Sequence, residues 1–225
     1  MKPFFDDVAA WNERWAREYD IDRYYAASHW SVRFVEARRL AAIVRLLEAP
    51  RGGDVVELGC GAGHVLARFT GPVLGVEISM TMLQKARRRL GGRAALVRAD
   101  VEQLPLKTAS LTRLICTEVI EHVVDPARLL AEIARVLRPG GRVVVTFPNE
   151  PLIEAVKRCL LRLRLFGRVA PGPSASAEAD WHLHAFSRAL FQQLKPDALT
   201  VLAQRAVPAS IIPLRYACLL ERRRD

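Results

Sequence analysis

Short apolar runs alternate with segments of helical periodicity along most of this chain. Residues 54–58, Asp54-Val55-Val56-Glu57-Leu58, run straight into Gly59-Cys60-Gly61-Ala62-Gly63, and a helix-compatible segment, 64–70, follows at once. The pattern predicts strand, tight turn, helix. Further strands are expected at 73–76, ending on Glu77, and at 94–98, 111–117 and 143–147. Between them Ser79 is placed to cap a helix whose apolar face is Met82, Leu83, Ala86 and Leu90, with Gly91 as its stop. On that helix Lys85, Arg87, Arg88 and Arg89 read as a solvated face. Asp125 and Pro126 open another helix, with Leu129, Leu130, Ile133 and Leu137 inward and Arg138-Pro139-Gly140-Gly141 closing it.

Residues 6–50 read as helical, up to Pro50-Arg51-Gly52-Gly53. Trp11, Trp15, Tyr19, Tyr24, Tyr25, His29 and Trp30 lie ahead of its most regular part. The simpler expectation is that these rings pack the helix onto a sheet; the alternative is a flap over a pocket. After Pro151, Leu152, Ile153, Val156, Cys159, Leu160, Leu163 and Phe166 share one helical face. Lys157, Arg158, Arg162, Arg164 and Arg168 occupy the other, with Leu161 and Leu165 among them. Such a helix suits either a sheet surface with a basic exterior or a headgroup boundary. Residues 170–179 read as a loop, Ser187 caps a helix carrying Leu190, Phe191 and Leu194, and residues 199–207 and 214–220 supply a final antiparallel pair.

The glycine turn is the first candidate for chemistry, because without a Cβ the backbone can take positive φ and let a ligand lie on the main chain. The dinucleotide fingerprint G-x-G-x-x-G is not met, since His64 stands where its third glycine belongs, and a nicotinamide oxidoreductase is disfavoured. The pattern here is E-x-G-x-G-x-G, from Glu57 to Gly63. It resembles the first motif of the class I S-adenosylmethionine (SAM) dependent methyltransferases. The run from Glu118 through Leu137-Arg138-Pro139-Gly140-Gly141 to Pro148-Asn149 is similar to their ubiquinone and menaquinone methyltransferase-like branch.

That resemblance implies a Rossmann-like α/β fold: a seven-stranded, mostly parallel sheet with an antiparallel last strand and helices on both faces. It implies SAM as cofactor, with Glu77 on the ribose, Asp100 on the adenine amino group and the Val101 main chain facing the ring. Glu57, Gly59, Cys60, Gly61, Gly63, Ile78, Met82 and Thr117 complete the expected cofactor site. One methyltransferase domain is expected over 1–225, made of a helical cap (1–50), a SAM-binding core (53–150), a substrate-side insertion (151–186) and a C-terminal helix with antiparallel strands (187–225).

The segment after the fourth strand, Glu118-Val119-Ile120-Glu121-His122, should border the acceptor, because ligands in open α/β sheets bind beyond the carboxyl ends of the strands. Methyl transfer from a sulfonium mainly requires an acceptor held in line. A base helps where the nucleophile is a hydroxyl or a protonated amine. Candidates are His122, Glu118 and His184, with Glu121 and His182 also near in sequence pattern, and histidine is best matched to neutral pH. A metal is not expected. If one binds, Glu118, Glu121 and His122 are its ligands, with a downstream His to complete the set, a cluster comparable to that of the small-RNA 3′-end 2′-O-methyltransferases.

Composition then narrows the partners. The net charge is +10 and the pI about 10.1, which favours anionic surfaces without choosing between nucleic acid and acidic lipid. A small-molecule or lipid-like acceptor is expected, with contact to an anionic membrane through 151–168. RNA methylation and a non-catalytic SAM-binding or partner-binding subunit remain alternatives, and nothing bears on oligomeric state. The start of the chain carries no basic, apolar leader and no stretch is apolar enough to span a bilayer, so a cytoplasmic protein, peripheral at the membrane at most, is expected. Cys60, Cys116, Cys159 and Cys218 show no zinc spacing and read as small buried thiols.

Overall fold

The computed structural model describes residues 8–19, 21–48, 55–164 and 182–224. Seven strands form one sheet: β1 (Val55–Leu58), β2 (Val73–Glu77), β3 (Ala94–Arg98), β4 (Leu111–Thr117), β5 (Leu137–Pro148), β6 (Leu199–Ala209) and β7 (Ile212–Arg222). Their order is β3-β2-β1-β4-β5-β7-β6. The first five are parallel to their neighbours, and β7 runs antiparallel to both β5 and β6. The chain moves outward from β1 to β3 and then returns to lay β4 on the other side of β1. That reversal opens a crevice beyond the carboxyl ends of β1 and β4.

Helices α1 (Val8–Glu18), α2 (Ile21–Ala27) and α3 (Trp30–Leu47) precede the sheet. They are followed by α4 (Met80–Leu90), α5 (Pro126–Val136), α6 (Glu150–Arg162) and α7 (Arg188–Leu194). Alternation along the central strands fixes which helices cover which face. Leu114, Cys116, Val143 and Val145 pack with Leu129, Leu130 and Ile133 of α5 and Phe191 of α7. Ile115 and Val144 point the other way, into Leu40, Ile43 and Leu47 of α3 and Leu83 and Ala86 of α4. All three expected caps form: Ser79 Oγ accepts from Met82 N–H (3.2 Å), Asp125 Oδ1 from Arg128 N–H (3.0 Å) and Ser187 Oγ from Leu190 N–H (3.2 Å).

Several expectations are corrected. The segment after the glycine turn forms only a 3-10 turn, Leu66–Arg68, which has no side-chain cap at its start and is held by Gly71-Pro72 to about two turns. Leu137 begins β5 instead of ending α5, pairing with Leu111. The long N-terminal helix is three helices. On α4, Arg89 and Lys85 are not merely solvated: both reach Asp22 of α2, Lys85 at 3.8 Å, and Arg89 also donates to the Ala62 carbonyl. Cys60, Cys116 and Cys218 are buried, but Cys159 is exposed on α6. Leu165, Phe166, Arg168, the 170–179 loop and Trp181 lie outside the described residues.

Candidate functional site

The carboxyl edge of the parallel strands forms one wall of a cavity of 270 Å³, and α1 and α2 form its roof. At the turn after β1, Gly59, Gly61 and Gly63 all have positive φ, +65°, +48° and +77°. Their surroundings differ. A Cβ on Gly59 would lie 2.3 Å from Val119 Cγ2 and one on Gly63 2.9 Å from Leu90 Cδ1, whereas one on Gly61 would meet nothing within 4 Å. The outer two glycines therefore permit close packing, and the middle one leaves main chain bare toward the cavity.

Beside this turn, Glu77 at the tip of β2 accepts from the N–H groups of Gly61 (3.0 Å, Oε2) and Ser79 (2.8 Å, Oε1). Burial raises its pKa above the ordinary carboxylate value, against the lowering effect of those N–H groups. One bond per oxygen leaves lone pairs for ligand hydroxyls. Ile78, Met82, Asp100 and Val101 continue the wall beyond β2 and β3. Asp100 is exposed and its Oδ1 accepts from Glu102 N–H at 2.8 Å, which turns the loop and leaves its other oxygen for a donor. Together these groups can hold a nucleoside: bare backbone at the glycine turn, a carboxylate for the sugar and a carboxylate with an apolar wall for the base.

Glu57 and Thr117 close the inner end. Glu57 is 1% exposed; its Oε1 accepts from Thr117 Oγ1 at 3.2 Å and its Oε2 has no hydrogen-bond partner. Burial pushes its pKa up to about 8. Between pH 4.5 and 8 the folded chain thus holds a proton that the unfolded chain has released, and stability falls as pH rises through that window. Replacing Glu57 by Gln removes the titration. The variant is expected to gain about 1–3 kcal/mol over the native chain at pH 8 and little at pH 5, read from chemical unfolding of the ligand-free protein; parallel pH profiles would place the proton elsewhere.

The roof rests on two polar contacts that the sequence did not announce. Glu13 of α1 accepts from Ser79 Oγ (2.7 Å) and Thr81 Oγ1 (2.5 Å) at the start of α4. Burial works to raise its pKa, yet these hydroxyls, the Thr81 N–H and Arg17 draw it down to about 2. Asp22 meets His64 Nε2 at 3.1 Å, and Tyr25 stacks on His64 with ring centroids 4.0 Å apart. Trp15, Tyr19, Tyr24 and Tyr25 line the cavity, while Tyr25 also packs against the core between α3 and the sheet, so lining and packing are combined.

The other end of the cavity lies beyond β4 and β5. His122 is 7% exposed and faces His182, ring centroids 4.8 Å apart. His182 Nδ1 lies 2.6 Å from Glu150 Oε1; burial works to raise the Glu150 pKa, and the histidine contact draws it below the ordinary value. Glu118, in left-handed backbone with φ +52°, lines the cavity but spends its carboxylate on Thr146 Oγ1 (2.8 Å) and Arg215. Arg215 also approaches Glu36 at 3.5 Å, and Glu36 binds Arg39 at 2.7 Å. Arg39 in turn donates to Tyr25 Oη at 2.9 Å. His184 is not among the cavity-lining residues. Its Nε2 is 3.0 Å from the Val123 carbonyl, and the Leu183 N–H donates to the Glu121 carbonyl at 2.8 Å, so this stretch braces His182 against the segment that follows β4.

A crevice at the reversal of a parallel sheet, lined by a glycine turn and by carboxylates, is the architecture of α/β enzymes that bind nucleoside-containing cofactors. The comparisons with known proteins are specific. Residues 56–145 match the family described as methyltransferase domain. The ubiquinone/menaquinone biosynthesis C-methyltransferase UbiE of Syntrophotalea carbinolica is 33% identical over 169 residues, 72% of this chain and 68% of that protein. A probable S-adenosylmethionine-dependent methyltransferase of Mycobacterium tuberculosis is 34% identical over 140 residues, 61% of this chain and 47% of that protein. Among solved structures, a putative methyltransferase from Haloferax volcanii, in complex with the Trm112 methyltransferase activator, superposes with a TM-score of 0.65 at 19% identity, covering 92% of this chain and 99% of that one. The chain belongs to the class I SAM-dependent methyltransferases, in their UbiE-like branch. Curated relatives extend beyond it, and the chain spans as little as 32% of the length of one of them. The cofactor of the class is SAM, and the bare main chain at Gly61 beside the Glu77 carboxylate fits it.

Proposed function

We propose that this chain methylates a small, lipid-like acceptor held between His122, His182 and the aromatic flap. The observation that carries the reading is one continuous cavity joining the glycine turn, Glu77 and Asp100 to His122, Glu118 and His182. When bound, SAM supplies a methyl group on a sulfonium that is its own leaving group. Glu77 holds the ribose hydroxyls, Asp100 the adenine amino group, and Ile78, Met82 and Val101 enclose the base. Glu57, Thr117, Gly59, Cys60, Gly61 and Gly63 shape the pocket for the amino-acid end of the cofactor. His122 borders the acceptor and is the group best placed to receive its proton, with Glu118 held by Arg215 as part of the wall. The aromatic rings exclude water and give the acceptor an apolar surface to lie on.

Calorimetric binding of SAM, S-adenosylhomocysteine and NADH tests the cofactor part: micromolar affinity for the first two alone is expected. Methyl transfer to quinols and phospholipids tests the rest. Changing His122 to Ala is expected to lower turnover about 100-fold or more while SAM still binds; normal turnover would remove His122 from the acceptor side.

Among the described residues no helix is long and apolar enough to cross a membrane. Surface contact is supported by α6, which has no buried residue. Leu161 and Leu163 are each 60% exposed beside Arg158, Arg162 and Arg164, while Ile153 and Lys157 of the same helix line the cavity. An acceptor taken from an anionic bilayer could reach His122 along this helix. Flotation with phosphatidylglycerol vesicles but not with neutral ones is the expected result, and equal flotation with both would remove the membrane from the proposal.

A further inference from the structure

The acceptor chamber contains more ligating chemistry than methyl transfer to an activated carbon requires. Glu121, His122 and His182 each present one donor atom, and the three donors lie within 4.8 Å of one another. Glu121 Oε1 and His122 Nε2 are 3.8 Å apart. Ligands on a tetrahedral ion at bond lengths of about 2.1 Å lie about 3.4 Å apart, so the 3.8 Å pair needs only a few tenths of an ångström, and the widest spread must close by about 1.4 Å shared between two side chains. The three side chains come from two segments distant in sequence, joined through the Leu183 N–H on the Glu121 carbonyl. The cluster is thus built by the fold: His182 is the downstream histidine that the sequence left open, and Glu118 drops out of the expected set because Thr146 and Arg215 occupy it.

Two independent features point to a missing partner. Glu121 is 1% exposed, and its Oε2 is buried without any hydrogen-bond partner. A buried, unsatisfied carboxylate oxygen costs on the order of several kcal/mol unless it is neutralised or a cation meets it. The second feature is Glu150, whose Oε1 lies 2.6 Å from His182 Nδ1. A carboxylate on one ring nitrogen fixes the proton there and turns the other nitrogen's lone pair outward, the arrangement that orients metal-bound histidines.

We propose that Glu121, His122 and His182 bind a divalent first-row transition ion of the zinc type, with Glu150 as the positioning residue behind His182. Two imidazoles and one carboxylate suit such an ion better than magnesium or calcium. Three protein ligands leave at least one coordination position, and all three side chains line the cavity, so that position faces the acceptor. The ion would take an acceptor oxygen there, a hydroxyl or enolate, and favour its deprotonated form. This role rests on the methyltransferase reading; metal binding itself does not. With the ion in place His122 is a ligand instead of a base, so loss of turnover on changing His122 does not separate the two readings, whereas metal binding does.

The test uses the whole chain, stripped with chelator and titrated with cobalt(II) as a spectroscopic stand-in for zinc. One equivalent is expected to bind with visible ligand-field bands, and zinc is expected to displace it. Glu121→Gln and His182→Gln are each expected to weaken cobalt binding about 100-fold or more, and Glu150→Gln about 10- to 100-fold. SAM affinity, measured in parallel, should stay within about threefold in all three, which shows that the fold is intact. Saturable metal binding without SAM binding would support the site and overturn the methyltransferase reading. SAM binding without saturable cobalt, or cobalt binding unchanged in both ligand variants, would overturn the site alone.

Discussion

Changing Gly61 to Val is expected to lower SAM affinity about 100-fold or more while leaving the protein folded. The position has φ +48°, so a side chain there costs roughly 1–2 kcal/mol of backbone strain, but a Cβ meets no protein atom within 4 Å. The added methyls enter the space where the cofactor must lie on the main chain. A loss of about 2.8 kcal/mol of binding corresponds to that factor. Gly63 is the matched control. Its φ is +77° and a Cβ would press on Leu90 Cδ1 at 2.9 Å and Ala86 Cα at 3.4 Å, so Gly63→Ala is expected to lower the melting temperature by several degrees. SAM calorimetry and thermal melts on both variants separate the roles, and native SAM affinity in Gly61→Val would show that the cofactor does not use this turn.

The second large effect is expected at Glu77. Its carboxylate joins two backbone N–H groups from different segments, Gly61 and Ser79, and offers its remaining lone pairs to the cavity. Glu77→Ala leaves both N–H groups without their acceptor and removes the partner for two ribose hydroxyls. At about 1.5 kcal/mol or more for each hydrogen bond to a charged group, the loss of two should lower SAM affinity by about 100-fold or more. Glu77→Gln keeps one acceptor oxygen but turns an N–H₂ group on one of the backbone donors, so it should fall between. Affinity within about threefold of native in the Ala variant would move the ribose to another carboxylate.

The parts of this site that could be read from sequence are those whose residue types have one physical purpose. Glycines at alternate positions after an apolar run mark a turn of positive φ, and an acidic residue ending the next strand marks its tip. The cap residues Ser79, Asp125 and Ser187 were legible for the same reason, since a side-chain oxygen before an apolar periodicity has little else to do. The polar groups that hold the roof and the acceptor wall were not. Glu36 and Arg39 sit three residues apart on a helix, the spacing of an ordinary surface ion pair, and only the docking of α3 against the sheet shows them to be 5% and 3% exposed. Glu13 and Asp22 find their partners 66 and 67 residues away, at Ser79 and Arg89, beyond any local pattern. One signal was available: Arg215 interrupts the apolar run 212–220 of the final strand, and a cation in that setting needs a buried acid. The missing helix after Gly63 had a signal too, because no capping side chain opens the segment and Gly71-Pro72 leaves room for only about two turns.

The hold of Glu13 on Ser79 and Thr81 has a kinetic consequence. The aromatic roof is latched to the N-cap and first turn of α4, two residues beyond Glu77. On the proposed reading, with Glu77 on the ribose, exchange of spent cofactor for fresh waits on the Glu13 carboxylate letting go of two hydroxyls, and product residence time then sets the pace of turnover.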